Sequence, residues 1–234
     1  DETSLVAREL IAMLKQAPAA GADARKRLES WDGVLSKDSG AAALYELWLR
    51  RLTVRFIAGL APVEVRDVLE RRMSPRNVID LLAKAPAEQR HKLLLGSLQE
   101  AATEAEGTLG EEMDGWRWGA LHRIRFHHPL ALDAERRKLF DFAPVERGGD
   151  ANTVNNTGGG GFNQSSGASY RQIMDVADWD RSVVTSVPGQ SGQPGSPHYG
   201  DLLPLWAEGK YFPLPYTRAA VEASTRQILI LAPK

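Results

Sequence analysis

The chain has 234 residues, 43% of them hydrophobic, with 29 basic and 30 acidic side chains. This length suffices for one large domain or two small ones. The nearly equal numbers of basic and acidic side chains give no sign of binding to nucleic acid or to an anionic membrane. Cysteine is absent, which excludes disulfides, thiol catalysis and thiolate metal sites. The longest apolar runs, such as Ile228–Ala232, are too short to span a bilayer. The first residues show neither an initiator methionine nor a signal peptide, so we expect a processed product or an excised fragment.

The first two thirds of the chain carry apolar residues at helical spacing. Serine before proline, as at Ser74 and Pro75, is typical of a helix start, and glycine is typical of a helix end. The predicted helices are a segment from Val6 to Leu14 closed by Pro18, residues 22–31, 41–60, 62–73 and 75–84, and a segment from Pro86 to Gly107. Residues 111–130 are less regular.

The composition changes near residue 141. We therefore predict an α+β chain with a mainly helical region, residues 1–140, and a strand-rich region, residues 141–234, that contains ordered loops rich in glycine and proline. Strand-like residues occupy 170–176 and 182–187, with a turn at 178–181 between them. A short helix over 217–226 and a last buried strand over 228–231 complete this prediction.

Residues 188–197 consist almost wholly of Gly, Pro, Ser and Gln, a composition typical of turns. Large aromatic residues follow at once, at Trp206, Tyr211, Phe212 and Tyr216. A disordered linker would not carry four large rings. We therefore predict an ordered loop that is held in place by aromatic side chains.

A polar segment, Asp150–Asn155, lies beside the glycine run of residues 158–161. Asp, Asn and Thr side chains hydrogen-bond nearby backbone, so we interpret the segment as one that holds a loop. A role in the wall of a substrate pocket, or behind a catalytic centre, stays open. No Lys-Ser or Lys-Thr pair follows the glycines, which argues against a phosphate-binding loop and favours tightly turned or flexible backbone.

Neither the histidines nor the serines form a convincing site. His122, His127 and His128 could bind zinc, but adjacent residues point apart in regular structure and no His-Glu-x-x-His pattern is present. Ser191 lacks the spacing and the strand-turn-helix context of a nucleophile elbow. We predict that Ser191 forms a turn and that His198 is a hydrogen-bonded structural residue. No catalytic, cofactor-binding or metal-binding residue is assigned in this chain.

Four segments together carry a resemblance to a known family. They are Ser30-Trp31-Asp32-Gly33, then Trp118-Gly119-Ala120-Leu121-His122 followed by His128-Pro129-Leu130, then the Gly-Asp-x-x-Thr-Val-Asn of residues 149–155, and finally Pro188-Gly189-Gln190-Ser191-Gly192 with Ser196-Pro197-His198-Tyr199. In this order they resemble the C-terminal part of the β chain of the penicillin amidase (penicillin acylase) family. Its members are N-terminal-nucleophile hydrolases.

The resemblance implies that this chain contributes helices and strands to a four-layer αββα sandwich. It also implies that the enzyme hydrolyses a linear amide through an acyl-serine. Candidate substrates are the acyl side chain of a β-lactam and an N-acyl-homoserine lactone. Family members are exported precursors that are cleaved into an α and a β chain, so a periplasmic or secreted location is implied. In the family, the nucleophilic serine, the oxyanion asparagine and the calcium ligands lie upstream of the Trp-Asp-Gly turn.

Asp1 is not a nucleophile, so we expect a C-terminal fragment that is inactive alone and contains no cofactor. Its partners are then the upstream remainder of the β chain, the α chain of the same precursor and a small amide substrate, but no nucleic acid and no membrane. A non-catalytic helical-plus-β interaction module is the alternative. A self-contained serine hydrolase built on Ser191 and His198 is disfavoured by its motif context.

Overall fold

The computed structural model describes residues 2–159 and 161–233, and it confirms the α+β class. The chain packs as two compact units. The first unit contains Asp1–Phe126 and Phe142–Gly167, and the second contains His127–Asp141 and Ala168–Lys234. The division at residue 141 remains a prediction about domains. Within the described ranges, no helix combines the length and apolarity needed to cross a membrane.

Among the described residues the first unit has seven α-helices. The first six match the predicted helical segments, and the seventh lies in the stretch that was predicted to be less regular. They are α1 (Leu5–Lys15), α2 (Ala22–Glu29), α3 (Gly40–Leu60), α4 (Val63–Arg72), α5 (Pro75–Lys84), α6 (Ala87–Leu109) and the single turn α7 (Trp118–Leu121). Ser74 caps α5 as predicted, because its Oγ accepts a hydrogen bond of 3.2 Å from the Asn77 amide.

The predicted end of α6 at Gly107 is wrong by two residues. Gly107 lies inside the helix, which continues to Leu109 and ends where Gly110 adopts a φ of +103°. A single helical glycine costs only about 1 kcal/mol relative to alanine, which is too little to end a long, well-packed helix. The left-handed backbone of Gly110 is what stops it.

Helix α3 forms the centre of the hydrophobic core and packs along α6. Its buried side chains include Leu44, Leu47 and Leu52. Trp48 is fully buried, and its indole nitrogen donates to the Leu94 carbonyl and the Ser97 hydroxyl of α6, each at 3.0 Å. Because the buried ring has its one donor satisfied, α3 and α6 are joined by packing and by hydrogen bonds together.

Five short strands complete the first unit: β1 (Arg123–Ile124), β2 (Val145–Glu146), β3 (Thr157–Gly158), β4 (Asn163–Gln164) and β5 (Ser166–Gly167). Strand β1 lies between β2, to which it is antiparallel, and β4, to which it is parallel. Strands β3 and β5 form a separate antiparallel pair. These pairings hold both ends of the segment between β2 and β3, which carries Asp150.

The second unit contains a small antiparallel sheet and three short helices. Its elements are α8 (Ala134–Phe140), β6 (Arg171–Ile173), β7 (Val183–Thr185), α9 (Leu203–Ala207), β8 (Phe212–Pro213) and α10 (Arg218–Ser224), with β7 between β6 and β8. The two strands predicted over 170–176 and 182–187 are confirmed in shorter form. The turn between them is a 3₁₀ segment, Trp179–Arg181, and the predicted C-terminal helix is confirmed as α10.

The loop before α9 is ordered by aromatic side chains, as predicted. Trp206 is almost fully buried, and its indole nitrogen donates to the Ala168 carbonyl at 2.9 Å. The hydroxyl of Tyr199 donates to the Phe140 carbonyl at 2.6 Å. Tyr216 contributes less burial, since it is largely exposed and tilts against Trp179.

The buried strand predicted over Ile228–Leu231 is wrong. These four side chains are 81–85% exposed, and the segment has no strand assignment. A strand is buried only when another strand and a packing surface receive it. Among the described residues, no strand pairs with this segment.

We expect a Leu44→Ala substitution to lower the free energy of unfolding by about 2–5 kcal/mol, because it leaves a cavity in the core beside α6. Leu60→Ala is the matched control, since Leu60 lies at the end of the same helix and is 60% exposed. That control should change the free energy by no more than about 0.5 kcal/mol. Urea unfolding followed by helical circular dichroism measures both, and equal losses would contradict the assigned burial.

Candidate functional site

A polar cavity lies within the first unit, and we call it the Glu46 cavity. Its volume is about 150 Å³. Helix α3 contributes Glu46 and α7 contributes Trp118, while the segments around β3 and β4 supply glycines and one aromatic ring. The side chains on which the following description depends are those of Glu46, Trp118, His122, Asp150, Asn152 and Phe162.

Two carboxyl groups meet in this cavity. Glu46 and Asp150 are hydrogen-bonded to each other through their side chains. Burial, and then the neighbouring Asp150 charge, raise the pKa of Glu46 well above its ordinary value. A hydrogen bond between two carboxyl groups requires a proton, so Glu46 is the neutral partner and donates to the Asp150 carboxylate. The raised pKa of Glu46 favours a single proton shared between the two carboxyl groups.

The loop around Asp150 is held by its own polar side chains. Asp150 Oδ1 accepts from the Asn152 amide at 2.6 Å, and the Asp150 amide donates to Thr153 Oγ1 at 3.0 Å. Burial raises the pKa of Asp150, and the hydrogen bonds from Asn152 and Glu46 oppose that rise. The prediction that residues 150–155 hold a loop is confirmed. Asp150, Ala151 and Asn152 also form one wall of the cavity.

A buried arginine supports this loop from the next positions. Arg147 is only 1% exposed, and its Nη2 donates to Asn155 Oδ1 at 3.1 Å. Asn155 in turn donates from Nδ2 to Glu2 Oε1 at 3.0 Å. These hydrogen bonds link the Arg147 guanidinium, the Asn155 side-chain amide and the Glu2 carboxylate, and they fix the base of the loop.

His122 lies against the opposite wall with a defined tautomer. Its ring stacks on Trp118, with centroids 4.6 Å apart and planes 6° apart. Nδ1 lies 2.6 Å from the Phe162 carbonyl, which can only accept, so Nδ1 carries the proton. Burial lowers the pKa of His122, and the Phe162 carbonyl partly offsets this. The imidazole is therefore neutral, and Nε2 is an acceptor.

The Nε2 atom of His122 has no hydrogen-bond partner within residues 2–159 and 161–233, although His122 is only 5% exposed. Glu46 Oε1 is likewise buried and receives no hydrogen bond from a described amide, hydroxyl or cationic nitrogen. Buried polar atoms in folded proteins normally have partners. The unpartnered Nε2 atom of His122 therefore identifies the Glu46 cavity as a candidate binding site.

The glycine run beside the cavity is turned at Gly161, whereas Gly158 lies in strand β3. Gly161 has a φ of +61° and Gly159 a φ of +158°, while Gly160 lies outside the described residues. Gly149, at the start of the Asp150 loop, has a φ of +79°, and a Cβ there would lie 2.5 Å from the Asn155 carbonyl oxygen. Only glycine fits that position without displacing the loop.

A second, wider cavity of about 400 Å³ shares Glu46 and Phe162 with the first. Its remaining wall is part apolar and part cationic, formed by Met73, Arg50 and Arg71 among others. The guanidinium of Arg50 lies 4.9 Å from the centre of the Phe162 ring. The Glu46 cavity thus continues into a broader cleft.

The three histidines considered for zinc have separate partners. His127 Nδ1 lies 2.9 Å from Asp141 Oδ2, and His128 Nδ1 accepts from the Leu130 amide at 3.1 Å. His122 makes the contacts with Trp118 and the Phe162 carbonyl that are described above. Across the described parts of the chain, no three His, Cys, Asp or Glu side chains are grouped to hold a metal ion.

Ser191 and His198 do not form a nucleophile and base. Ser191 Oγ accepts from the Gln193 amide at 3.1 Å, and His198 Nδ1 lies 2.8 Å from Asp201 Oδ2. Between the described atoms of these residues, the structure has a hydrogen bond only from the Ser191 amide to the His198 carbonyl, at 2.9 Å. The predictions that Ser191 forms a turn and that His198 is a hydrogen-bonded structural residue are confirmed.

Sequence reasoning missed Glu46. The helix over residues 41–60 was predicted from its apolar residues, although Glu46 interrupts an otherwise apolar run from Ala41 to Leu49. A single carboxylate in such a run predicts a buried ionisable group, because charged residues are almost never fully buried unless paired. Its partner, Asp150, carries no matching local signal.

Comparison with known proteins gives a consistent family. The family model described as penicillin amidase matches residues 1–223. The chain is 33% identical to penicillin acylase 2 proenzyme of Pseudomonas sp. (strain SE83) over 226 residues, which cover 89% of this chain. It is 30% identical to acyl-homoserine lactone acylase QuiP of Pseudomonas syringae pv. tomato in an alignment of 236 positions, gaps included, that covers 90% of this chain.

The match covers only part of these relatives. The chain spans 28% of the length of each of the two. Among solved structures, a thermostable penicillin G acylase from Alcaligenes faecalis aligns with the whole chain at 19% identity and a TM-score of 0.49, over 48% of its own chain. The family assignment therefore rests on the sequence matches.

We expect the stability of the chain to fall as the pH rises above about 5, because the folded pKa of Glu46 is raised. A carboxyl whose folded pKa is raised stabilises the fold fully below its unfolded pKa, near 4.5, and this stability is lost as the pH rises towards the folded pKa. Glu46→Gln stays neutral, so the wild type should lose free energy of unfolding relative to it. The limiting slope is about 1.4 kcal/mol per pH unit.

Glu104→Gln is the control for this titration. Burial opposes the shift, but hydrogen bonds from Arg50 and Arg51 lower the pKa of Glu104. The contribution of Glu104 to the free energy of unfolding is therefore lost only as the pH falls through that lowered pKa. The difference in free energy of unfolding between Glu104→Gln and the wild type should stay constant from pH 6 to pH 8. Urea denaturation across the pH range measures both variants. A Glu46→Gln difference that is also constant would mean that Glu46 is ionised in the fold.

A Gly149→Ala substitution should destabilise the fold by roughly 2–5 kcal/mol, from left-handed strain plus the clash with Asn155. Gly21→Ala is the matched control, because Gly21 has a φ of +67° but no atom within 4 Å of the added Cβ. It should cost roughly 1–2 kcal/mol. The difference in thermal unfolding isolates the clash, and equal losses would show that the Asp150 loop shifts freely.

Proposed function

Since the chain belongs to the penicillin amidase family, we propose that it is the C-terminal part of the β chain of an acylase that hydrolyses a linear amide. The observation that carries this proposal is the match of the family model to residues 1–223, in a chain that spans 28% of its relatives. In this proposal the 234 residues form a packed portion of a larger enzyme and are inactive alone.

The proposed chemistry is acyl transfer through a serine at the start of the β chain. The α-amino group of that serine, with an ordinary pKa near 8, takes the hydroxyl proton as the serine attacks the amide carbonyl. Amide and backbone donors stabilise the oxyanion, and the acyl-serine is then hydrolysed by water. All of these groups belong to the upstream part of the enzyme in this proposal.

The arrangement of Ser191 and His198 supports this assignment. A chain that acted alone would need a nucleophile within hydrogen-bond reach of a base. Ser191 Oγ accepts a backbone amide of its own turn instead, and His198 faces Asp201. Neither residue has a catalytic role in the proposal.

Exposed apolar side chains of the second unit favour a portion of a larger enzyme over a stand-alone interaction module. A module of that kind should present few large apolar side chains to solvent. The exposed residues are Tyr170, Ile173, Met174, Val176, Trp179 and Tyr216. In our proposal they are covered by the upstream remainder of the β chain or by the α chain.

The substrate class follows from the relatives in its broad form only. Penicillin acylase 2 and the acyl-homoserine lactone acylases are named for different compounds that share an acyl group on an amide nitrogen. We therefore propose an N-acylated amine, either a β-lactam with an acyl side chain or an N-acyl-homoserine lactone. A periplasmic or secreted location is part of the same proposal.

The 234-residue chain should hydrolyse neither penicillin G nor an N-acyl-homoserine lactone, whereas the complete protein encoded by the gene should release amine from at least one of them. Amine release, followed with an amine-reactive fluorophore, measures both proteins. The physical reason is that the short chain offers no activated nucleophile.

Ser191→Ala in the complete protein is the control, and it should retain the full rate. Amide hydrolysis by the 234-residue chain, abolished by Ser191→Ala, would overturn the proposal in favour of a self-contained hydrolase. If the complete protein hydrolyses neither substrate, the proposed acylase activity is rejected and only the family membership remains.

A further inference from the structure

The Glu46 cavity has the features of a built binding site that the proposed acyl transfer does not use. Its volume of about 150 Å³ is well above the roughly 10–15 Å³ that one water needs. Its wall includes the buried residues Trp118, His122 and Asp150, and one polar atom there, His122 Nε2, has no partner within the described residues. We consider which chemical group matches this lining.

The lining offers acceptors and one negative charge. His122 Nε2 can only accept, because the Phe162 carbonyl fixes the proton on Nδ1. The Glu46–Asp150 pair holds a single proton, so it carries one negative charge beside the same space. A matching ligand therefore has several donors and one positive charge.

Two aromatic rings shape the cavity. Trp118 and Phe162 both line it, with ring centroids 5.3 Å apart in an edge-to-face arrangement. Trp118 is stacked on His122, and Phe162 has the Arg50 guanidinium 4.9 Å from its centre, so the carboxyl pair is the group that favours a cation. Anionic ligands would instead meet the carboxyl pair, and a neutral ligand would leave its charge unmatched.

We propose that the Glu46 cavity binds a small primary ammonium ion, which donates one hydrogen bond to His122 Nε2 and lies beside the Glu46–Asp150 carboxyl pair. Ammonium and methylammonium have the size and the donors for this position. The wider cleft that continues past Phe162 leaves room for a short substituent on the amine.

Methylammonium chloride is the probe, and the 234-residue chain is the protein. A ligand that binds only the folded state lowers the unfolding constant by the factor 1 + [L]/Kd, so about tenfold at nine times Kd. Potassium chloride and tetramethylammonium chloride at equal ionic strength are the controls, since both are cations without N–H donors. We expect a concentration-dependent rise in the unfolding midpoint with methylammonium that exceeds both controls.

His122→Phe should remove the excess stabilisation, because it keeps a ring against Trp118 but has no Nε2 acceptor. His198→Phe is the matched control, and it should keep the full effect because His198 does not line the cavity. In the wild type, the ¹⁵N resonance of His122 Nε2 should shift during the titration. This measurement stands even if His122→Phe does not fold.

Two results would overturn the proposal. In the first, methylammonium stabilises the wild type no more than potassium does, which would mean that the cavity holds only water. The second is a His122 Nε2 resonance that stays fixed while the protein is stabilised, which would place the amine elsewhere. Neither result bears on amide hydrolysis by the complete protein, so the acylase proposal is tested separately.

Discussion

The burial of helix α3 is the constraint on which the first unit depends. The N-terminal half of this helix is buried on most sides, so polar groups there need partners inside the protein. Trp48 meets this requirement through α6. Glu46 meets it through Asp150, which brings the loop between β2 and β3 onto the helix. One buried carboxyl thus couples the helical core to the small sheets.

The remaining wall of the cavity follows from the same constraint. Once Asp150 is fixed against Glu46, Gly149 must turn with a positive φ, and its carbonyl accepts from the Trp118 indole nitrogen at 3.0 Å. Trp118 in turn carries the stacked His122 ring. Each contact leaves the next residue little freedom, so the cavity has a defined shape before any ligand enters.

The helices could be predicted from the sequence because their signals are local. Ser74 and Pro75 place the start of α5, and the apolar spacing from Val6 to Leu14 defines α1. Strands need partners from elsewhere in the chain, so a local apolar run predicts them poorly. Residues 228–231 have the composition of a buried strand, yet no described strand receives them. The site was harder still, because no spacing rule relates Glu46 to Asp150.

The exposed run Ile228–Leu231 has a consequence for handling the purified chain. Four consecutive β-prone, uncharged side chains lie almost fully in solvent. Segments of this kind expose backbone donors and acceptors together with apolar side chains, which is the combination that promotes intermolecular strand pairing and fibril growth. These four residues therefore promote association at high protein concentration, and a lysine within the run would act as a gatekeeper.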